Sequence, residues 1–458
     1  MPDIKTNSKL VKPGDIFIAI NCKDSEQHIS EAFKNGARLV FAEQSDNSTV
    51  EIVKDARLLV SVFASIKYNN SPNCCVAITG TNGKSSVAHF LRQIWCYSKL
   101  NAASLGTLGL FVGDNKFESS ELNIPSLTTP DSLTLHKILN YIASKNINHF
   151  VFEASSHALD QKRLHSVKLS AAAFTNFASD HMDYHKTSEH YMESKLKLFN
   201  EILPNNKPAI FSLDHQEISN RIRQVNSNHI TFGLSNKNFI SAKIKHSSSS
   251  STVIDLNIGN DKFFDISLKL IGEFQVMNIL CACAIAYATG VSIDNIISTL
   301  PILKPLTGRM EHVSAYNDTD IFVDFAHTAD GINVALKTLR GICKGRLFCI
   351  FGCGGDRDKS KRSEMGQIAN SLADVVIVTD DNPRTEDPAS IRKEIIKHCP
   401  KAIEIADRHE AIKYAINNLD KGDILVVLGK GHETYQIYGT EKKYFNDTEV
   451  ILNYCHKK

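Results

Sequence analysis

The chain has 458 residues, 42% of them hydrophobic and 22% charged, with a formal net charge of +2. That balance describes a soluble globular protein and supplies no field that would favour nucleic acid or an acidic membrane surface. No apolar run approaches the roughly 20 residues that span a bilayer, and the polar start lacks the apolar region of a signal peptide. Eleven cysteines lie scattered, mostly in apolar stretches such as Cys281-Ala282-Cys283, the way reduced cytosolic thiols are used. No CxxC pair supports a redox or metal reading of Cys74, Cys75 or Cys353. At this length roughly two to four domains are expected, in a cytoplasmic protein.

The first block runs to about residue 70. Residues 14–20 read as a turn followed by a strand, and a helix is expected near residues 29–36. Asn69-Asn70-Ser71-Pro72-Asn73 has linker chemistry.

The second block opens on the apolar run Cys74-Cys75-Val76-Ala77-Ile78-Thr79, which enters the hexapeptide GTNGKS at residues 80–85. A strand entering a Gly-rich turn and then a helix is the architecture of a phosphate-binding loop, although the common pattern has a glycine where Ile78 stands. Lys84 would reach the terminal phosphates of a nucleotide and the Ser85 hydroxyl would ligate Mg²⁺. The alternative is a Gly-rich turn without a ligand; Lys and Ser directly after the last glycine argue against it. A helix over residues 86–99 carries Val87, Phe90, Leu91, Ile94 and Trp95 at helical spacing.

Further on, strands are expected at residues 148–152, 171–176 and 209–213, alternating with helices as in a largely parallel sheet. The first ends in Glu153-Ala154-Ser155-Ser156-His157, a carboxylate placed like a Mg²⁺ ligand and also a cluster suited to capping the next helix. Asp180-His181-Met182-Asp183-Tyr184-His185 follows a strand; it reads as a second Mg²⁺ or phosphate site near His181, or as a polar loop with incidental histidines. On the helix over residues 188–203, Tyr191, Leu198 and Ile202 share one face, and Lys195 lies on it too. A lysine directed inward must be paired, neutralised or chemically changed, unless its stem snorkels to solvent. The serine run at residues 247–251 reads as a hairpin loop.

The third block follows Pro301-Ile302-Leu303-Lys304-Pro305. Strands at residues 320–324, 347–351, 375–379 and 424–428 alternate with helices near residues 331–339, 364–372 and 389–398, a second doubly wound α/β unit. Polar loops follow three of these strands: GCGGDRDK at 352–359, DNPR at 381–384 and GKGHE at 429–433. Arg357 and Arg384 suit a carboxylate or phosphate, and Glu433 could accept from an ammonium. Three such loops on one sheet point to one shared site.

The ordered set GTNGKS, EASSHALDQKR, DHMDYH, Lys195, TGRME, DFAHT, GCGGDRDK, DNPR and GKGHE closely resembles the Mur ligases of peptidoglycan synthesis, nearest to their diaminopimelate-adding MurE type, over nearly the whole chain. The resemblance implies an α/β protein of three domains. These are a small N-terminal α/β domain for the UDP substrate (1–70), expected to be N-terminally short, a central P-loop ATPase domain with a mainly parallel sheet (71–302), and a C-terminal Rossmann-like domain for the amino acid (303–458). By similarity, Gly80, Thr81, Asn82, Gly83, Lys84, Ser85 and Ser86 bind ATP, with Asn278, Arg309 and His327. Thr128, Thr129, Ser155, Gln161 and Arg163 would hold the UDP-muramoyl substrate, with Ser8 near the uridine. Glu153 and His181 match Mg²⁺ ligands beside Ser85. Lys195 matches the family's carbamylated lysine, an N6-carboxylysine, which turns an inward cation into an anion. Catalytic roles fall on Lys84, Lys195 and His181. Arg357, Asp381, Asn382, Pro383, Arg384, Gly429 and Glu433 resemble the diaminopimelate site, where Arg384 would clasp the distal carboxylate that lysine lacks. Departures are Gln275 where Asn is frequent, Ser85 for the usual Thr, Asn7-Ser8-Lys9 for Asp-Ser-Arg, and residues 21–28 without the usual Gly-rich turn.

The expected reaction is ATP- and Mg²⁺-dependent ligation of meso-diaminopimelate to UDP-MurNAc-L-Ala-D-Glu through an acyl phosphate, with domain closure onto the nucleotide. The protein is expected to be a monomer without nucleic-acid or membrane partners. Three rivals are a folylpolyglutamate synthase, against which the DNPR and GCGGDRDK loops argue, a P-loop NTPase acting as a switch or motor, and a non-catalytic binding module.

Overall fold

The computed structural model describes residues 2–20, 24–117, 122, 124–125, 127–178 and 180–456; part of the 21–28 departure lies outside the described residues. The chain forms two compact units. One comprises Met1–Phe177, Thr187–Thr231 and Cys281–Ser292; the other comprises Ala178–Lys186, Phe232–Leu280 and Ile293–Lys458.

In the first unit the chain begins with a four-stranded parallel sheet, Ile4–Lys5, Ile16–Ile18, Leu39–Ala42 and Glu51–Ile52, in sequential order. Phe17, Ile29, Ala32 and Val40 pack as its core. The expected helix spans Ser25–Lys34, and a second, Ala56–Lys67, starts where the Asp55 carboxylate accepts from Leu58 N at 2.8 Å.

The larger sheet of this unit runs Ala209–Ser212, Ala171–Phe174, Cys74–Thr79, His149–Glu153 and Ala102–Gly106, all parallel, then turns antiparallel through Gly109–Val112 and Asn115–Lys116. Such a sheet is buried on both faces, and Val76, Ala77, Ile78, Phe150, Val151 and Phe152 are fully buried. Register sets Ile78 opposite Glu153 and Leu105 opposite Phe152, so the carboxyl ends of three strands come level. The helix after GTNGKS spans Lys84–Tyr97, two residues earlier than its spacing predicts. Gly83 adopts a left-handed φ of +85°, and the helix starts at the next residue.

In the second unit Ile240–Ser247, Thr252–Ile258 and Asp261–Leu268 form an antiparallel meander, its first hairpin closed by Ser248 N donating to Ser251 O at 2.8 Å. A six-stranded sheet follows in the order Glu311–Tyr316, Thr319–Asp324, Ile424–Leu428, Leu347–Phe351, Val375–Val378, Ile403–Glu404, parallel except at its first strand. Leu347, Cys349 and Phe351 join one core, and Phe348 and Ile350 the other, so helices cover both faces. Ala329–Arg340, Lys361–Leu372 and Pro388–Ile396 are the expected helices. Among the described residues no helix is long and apolar enough to cross a membrane.

Candidate active site

The phosphate loop is held open by Thr175 and Asn176, which follow the neighbouring strand Ala171–Phe174. Thr81 N donates to Asn176 O and Asn82 N to Asn176 Oδ1, both at 2.9 Å, and Thr175 Oγ1 donates to Asn82 O at 2.6 Å. Gly80, at φ +136°, leaves no room for a side chain: a Cβ there would lie 2.0 Å from Thr175 Oγ1. Lys84 Nζ folds onto the loop, donating to Gly80 O at 2.9 Å and Thr81 O at 2.8 Å.

Glu153 ends the neighbouring strand, 2% exposed, and gathers three donors. Ser85 Oγ reaches Oε1 at 2.7 Å, Thr107 N reaches Oε1 at 3.0 Å, and Thr107 Oγ1 stands 3.3 Å from Oε2. Gly106 makes room for this carboxylate, since a Cβ on it would sit 1.9 Å from Oε1. A hydroxyl and a carboxylate 2.7 Å apart below a phosphate loop are hard oxygen donors that fit Mg²⁺. No cluster of three His, Cys, Asp or Glu forms an all-protein cage among the described residues. Mg²⁺ in phosphate-binding sites uses few protein carboxylates in any case.

Thr128, Thr129, Ser155, Gln161 and Arg163 come together beside Glu153. Thr129 Oγ1 donates to Glu153 O at 2.7 Å and accepts from Ser155 N at 3.0 Å. Arg163 reaches Thr129 O at 2.7 Å and, through Nη2, Gln161 Oε1 at 2.7 Å. Thr128 Oγ1 lies 3.1 Å from Thr107 Oγ1. Ser8 stands elsewhere, at the first sheet, donating to Glu31 Oε2 at 2.5 Å.

Lys195 points inward, as helical spacing requires. The helix is Ser188–Lys197, continued by a π turn over Leu198–Ile202, and Tyr191, Lys195, Leu198 and Ile202 are all buried. Its Nζ donates to Gly80 O at 2.8 Å and lies 4.3 Å from the Tyr191 ring centroid. Two lysine ammonium groups, from Lys84 and Lys195, thus converge on one carbonyl oxygen.

In the second unit, Asn278 and Arg309 are joined through Gln275. Asn278 Nδ2 donates to Gln275 Oε1, and Gln275 Nε2 to Arg309 O, both at 3.1 Å. The Arg309 guanidinium lies 4.4 Å over Phe325, whose ring stands 4.7 Å from that of His327. Burial raises the Asp324 carboxyl above its ordinary range, against the opposing pull of Arg309. His181 is exposed, with a left-handed φ of +56°, and its N–H donates to Asp180 Oδ1 at 2.8 Å.

The three polar loops of this unit's sheet do meet. Arg384 Nη1 donates to Gly355 O at 2.8 Å, tying DNPR to GCGGDRDK. Gly355 must be glycine, because a Cβ would fall 2.0 Å from Pro383 O. Asn382 Nδ2 donates to Glu433 Oε2 at 2.9 Å, tying DNPR to GKGHE. At Gly429, φ +107°, a Cβ would lie 2.8 Å from Asp381 Oδ2. Among the described residues no carboxylate pairs with the half-buried Arg384 or with Arg357, which is exposed.

Sequence reasoning missed Thr107 and passed over Lys430. Thr107 follows the short strand Ala102–Gly106, whose small residues carry no alternation. Lys430 belongs to a motif that was read, but its full burial has no local signal.

A phosphate-binding loop at the carboxyl edge of a parallel sheet, together with a doubly wound sheet whose polar loops carry guanidinium groups, defines a nucleotide-using enzyme of the α/β class. The Mur ligase middle domain matches residues 78–286, and the Mur ligase glutamate ligase domain matches residues 308–431. The chain belongs to the Mur ligase family. It is 44% identical to the UDP-N-acetylmuramoyl-L-alanyl-D-glutamate–2,6-diaminopimelate ligase of Rickettsia bellii, covering 98% of this chain and 94% of that one. Identity to the same-named ligase of Rhizobium meliloti is 42%, covering 97% and 92%. A solved structure of a UDP-N-acetylmuramoyl-L-alanyl-D-glutamate–2,6-diaminopimelate ligase superposes with a TM-score of 0.72 at 30% identity, over 99% of this chain and 94% of that one. A Thermotoga maritima folylpolyglutamate synthase shares the fold, at a TM-score of 0.61 and 20% identity over 81% of this chain and 90% of that one.

Proposed function

We propose that this protein is the ligase that joins meso-diaminopimelate to the D-Glu carboxylate of UDP-MurNAc-L-Ala-D-Glu, at the expense of ATP, in cytoplasmic peptidoglycan precursor synthesis. The observation that carries the acceptor is Arg384. Its planar fork makes no salt bridge to a carboxylate among the described residues, although its charge reaches Asp356, and it stands in a loop bonded to both neighbouring polar loops. Diaminopimelate has the distal carboxylate to fill it; lysine would leave it unpaired.

The substrate carboxylate attacks the terminal phosphorus of ATP and ADP leaves. The amine of the acceptor then attacks the acyl phosphate carbon, loses a proton, and the tetrahedral adduct expels phosphate. The protein's share is positioning and charge neutralisation. Lys84 unfolds from its two loop carbonyls to meet the phosphates. Thr81, Asn82 and the loop amides of Gly80 to Ser86 cradle them, and Asn278, Arg309 and His327 are assigned to the nucleotide by resemblance. Ser85 and Glu153 would hold Mg²⁺, which would supply positive charge against the developing phosphate charge; the role of His181 rests on resemblance. Thr128, Thr129, Ser155, Gln161 and Arg163 orient the muramoyl peptide, and Ser8 belongs to the uridine end. Arg357, Asp381, Asn382, Pro383, Arg384, Gly429 and Glu433 receive the amino acid.

Lys195 is proposed to be carbamylated. Its amine adds CO₂ and releases a proton, replacing one of two crowded cations with an anion. The domain division at residues 70 and 302, a monomeric state and the absence of nucleic-acid or membrane partners complete the proposal.

The deciding experiment measures phosphate release with ATP, Mg²⁺ and UDP-MurNAc-L-Ala-D-Glu, comparing meso-diaminopimelate with L-lysine. Release and ligated product with diaminopimelate alone are expected. Turnover with lysine would discard the Arg384 argument; no acceptor-dependent release would discard the assignment.

A further inference from the structure

We propose that Lys430 is a positioning residue of the amino-acid site, holding Glu433 and Asn382 so that one carboxylate oxygen, Glu433 Oε1, is presented to the ammonium of the incoming acceptor. This inference rests on the reading of these loops as the acceptor site.

Lys430 is fully buried, and a buried ammonium must be compensated. Its Nζ donates to Glu433 Oε2 at 3.0 Å and lies 3.4 Å from Asn382 Oδ1. Asn382, 3% exposed, donates through Nδ2 to the same Glu433 Oε2 at 2.9 Å and accepts at Oδ1 from Ile437 N at 3.0 Å. The amide therefore has one workable orientation. Flipped, its NH₂ would face the Lys430 ammonium and the Ile437 N–H, two donors against a donor. Glu433 Oε2 thus takes two donors from within the protein, while Oε1 has no hydrogen-bond partner among the described residues.

The arrangement has two consequences. The Lys430–Glu433 pair is neutral, so Glu433 selects an ammonium by the direction of one oxygen more than by net charge. The same frame reaches Arg384. Strand Tyr435–Tyr438 supplies Ile437 N to Asn382, takes Arg384 N on Ile437 O at 3.0 Å, and donates Gln436 Nε2 to Asp381 O at 3.1 Å. Lys430 ties the loop after Ile424–Leu428 to the loop after Val375–Val378, so the ammonium acceptor and the carboxylate-binding guanidinium keep a set separation. An amino acid with both groups at its far end is the ligand such a spacing measures.

The test is a double-mutant cycle with K430M, E433Q and K430M/E433Q in the intact enzyme, following phosphate release against meso-diaminopimelate at saturating ATP, Mg²⁺ and UDP-MurNAc-L-Ala-D-Glu. K430M is expected to raise KM for diaminopimelate by about 10- to 100-fold, the scale of losing a buried charged hydrogen bond. Its kcat should move by less than about threefold, and KM for ATP should stay put. In the E433Q background K430M should add less than about threefold. Independent, multiplying effects of the two substitutions, or a fall in kcat with KM unmoved, would overturn the positioning role. Wild-type enzyme inert toward diaminopimelate would overturn the acceptor reading and this inference together; active wild type with an unaltered K430M would overturn this inference alone. Should K430M not fold, as judged by circular dichroism, K430Q probes the same lock: a rise in KM for diaminopimelate with kcat kept supports it, and an unchanged KM refutes it.

Discussion

Replacing Lys195 by alanine probes the phosphate loop most directly. The Nζ atoms of Lys195 and Lys84 lie 2.8 and 2.9 Å from the same Gly80 oxygen, so they are at most 5.7 Å apart. As two ammonium groups they repel by about 3 kcal/mol at an effective dielectric near 20. Lys195 is 1% exposed, and water relieves little of this. A carbamate on Lys195 reverses the sign, a swing of about 6 kcal/mol on the same scale. Even half of that, lost from the charge balance around the transferring phosphoryl group, is about 100-fold in rate. K195A is therefore expected to lose at least about 100-fold in kcat for phosphate release, with partial recovery when acetate or formate fills the gap. Wild-type enzyme in ¹³C-labelled bicarbonate should show a carbamate carbon signal that K195A lacks. Full activity in K195A would refute the reasoning. So would a loss that no short carboxylate restores, accompanied by no carbamate signal in the wild type.

Three further expectations concern the same unit. K84A should reduce turnover by about a thousandfold or more in the phosphate-release assay, since it removes the cation that the loop carbonyls of Gly80 and Thr81 hold beside the phosphate site. In G106A the new Cβ would overlap Glu153 Oε1 at 1.9 Å and push the carboxylate from Ser85 and Thr107. The Mg²⁺ concentration for half-maximal activity should rise about 10-fold or more, and an unchanged value would show that Glu153 is not the ligand. His136, 4% exposed with no partner for Nε2 among the described residues, has its pKa lowered by burial to about 4. Because the folded value lies below the unfolded one near 6.5, stability is full above about pH 6.5 and falls as pH drops toward 4. Urea unfolding at pH 7 and 4.5 should show this fall in the wild type and a smaller one in H136L; equal slopes would count against it.

Much of this molecule is written locally. Strand Cys74–Thr79, the turn after it and the inward face holding Tyr191 and Lys195 follow from residue order and helical spacing, because backbone geometry at short range depends on neighbours alone. The strands Leu347–Phe351 and Ile424–Leu428 were legible as apolar runs for the same reason. The early start of helix Lys84–Tyr97 was not, since it depends on the left-handed turn at Gly83. What tertiary structure alone decided is which distant groups meet. Thr107 finds Glu153 only because two parallel strands come level, and Lys84 and Lys195 share Gly80 O only because a helix 111 residues further on packs under the loop. Lys430 is buried rather than solvated because Glu433 and Asn382 close over it. Such contacts join segments far apart in the chain, and neither spacing nor composition encodes them; they arise when each sheet is assembled and the carboxyl ends of its own strands come level.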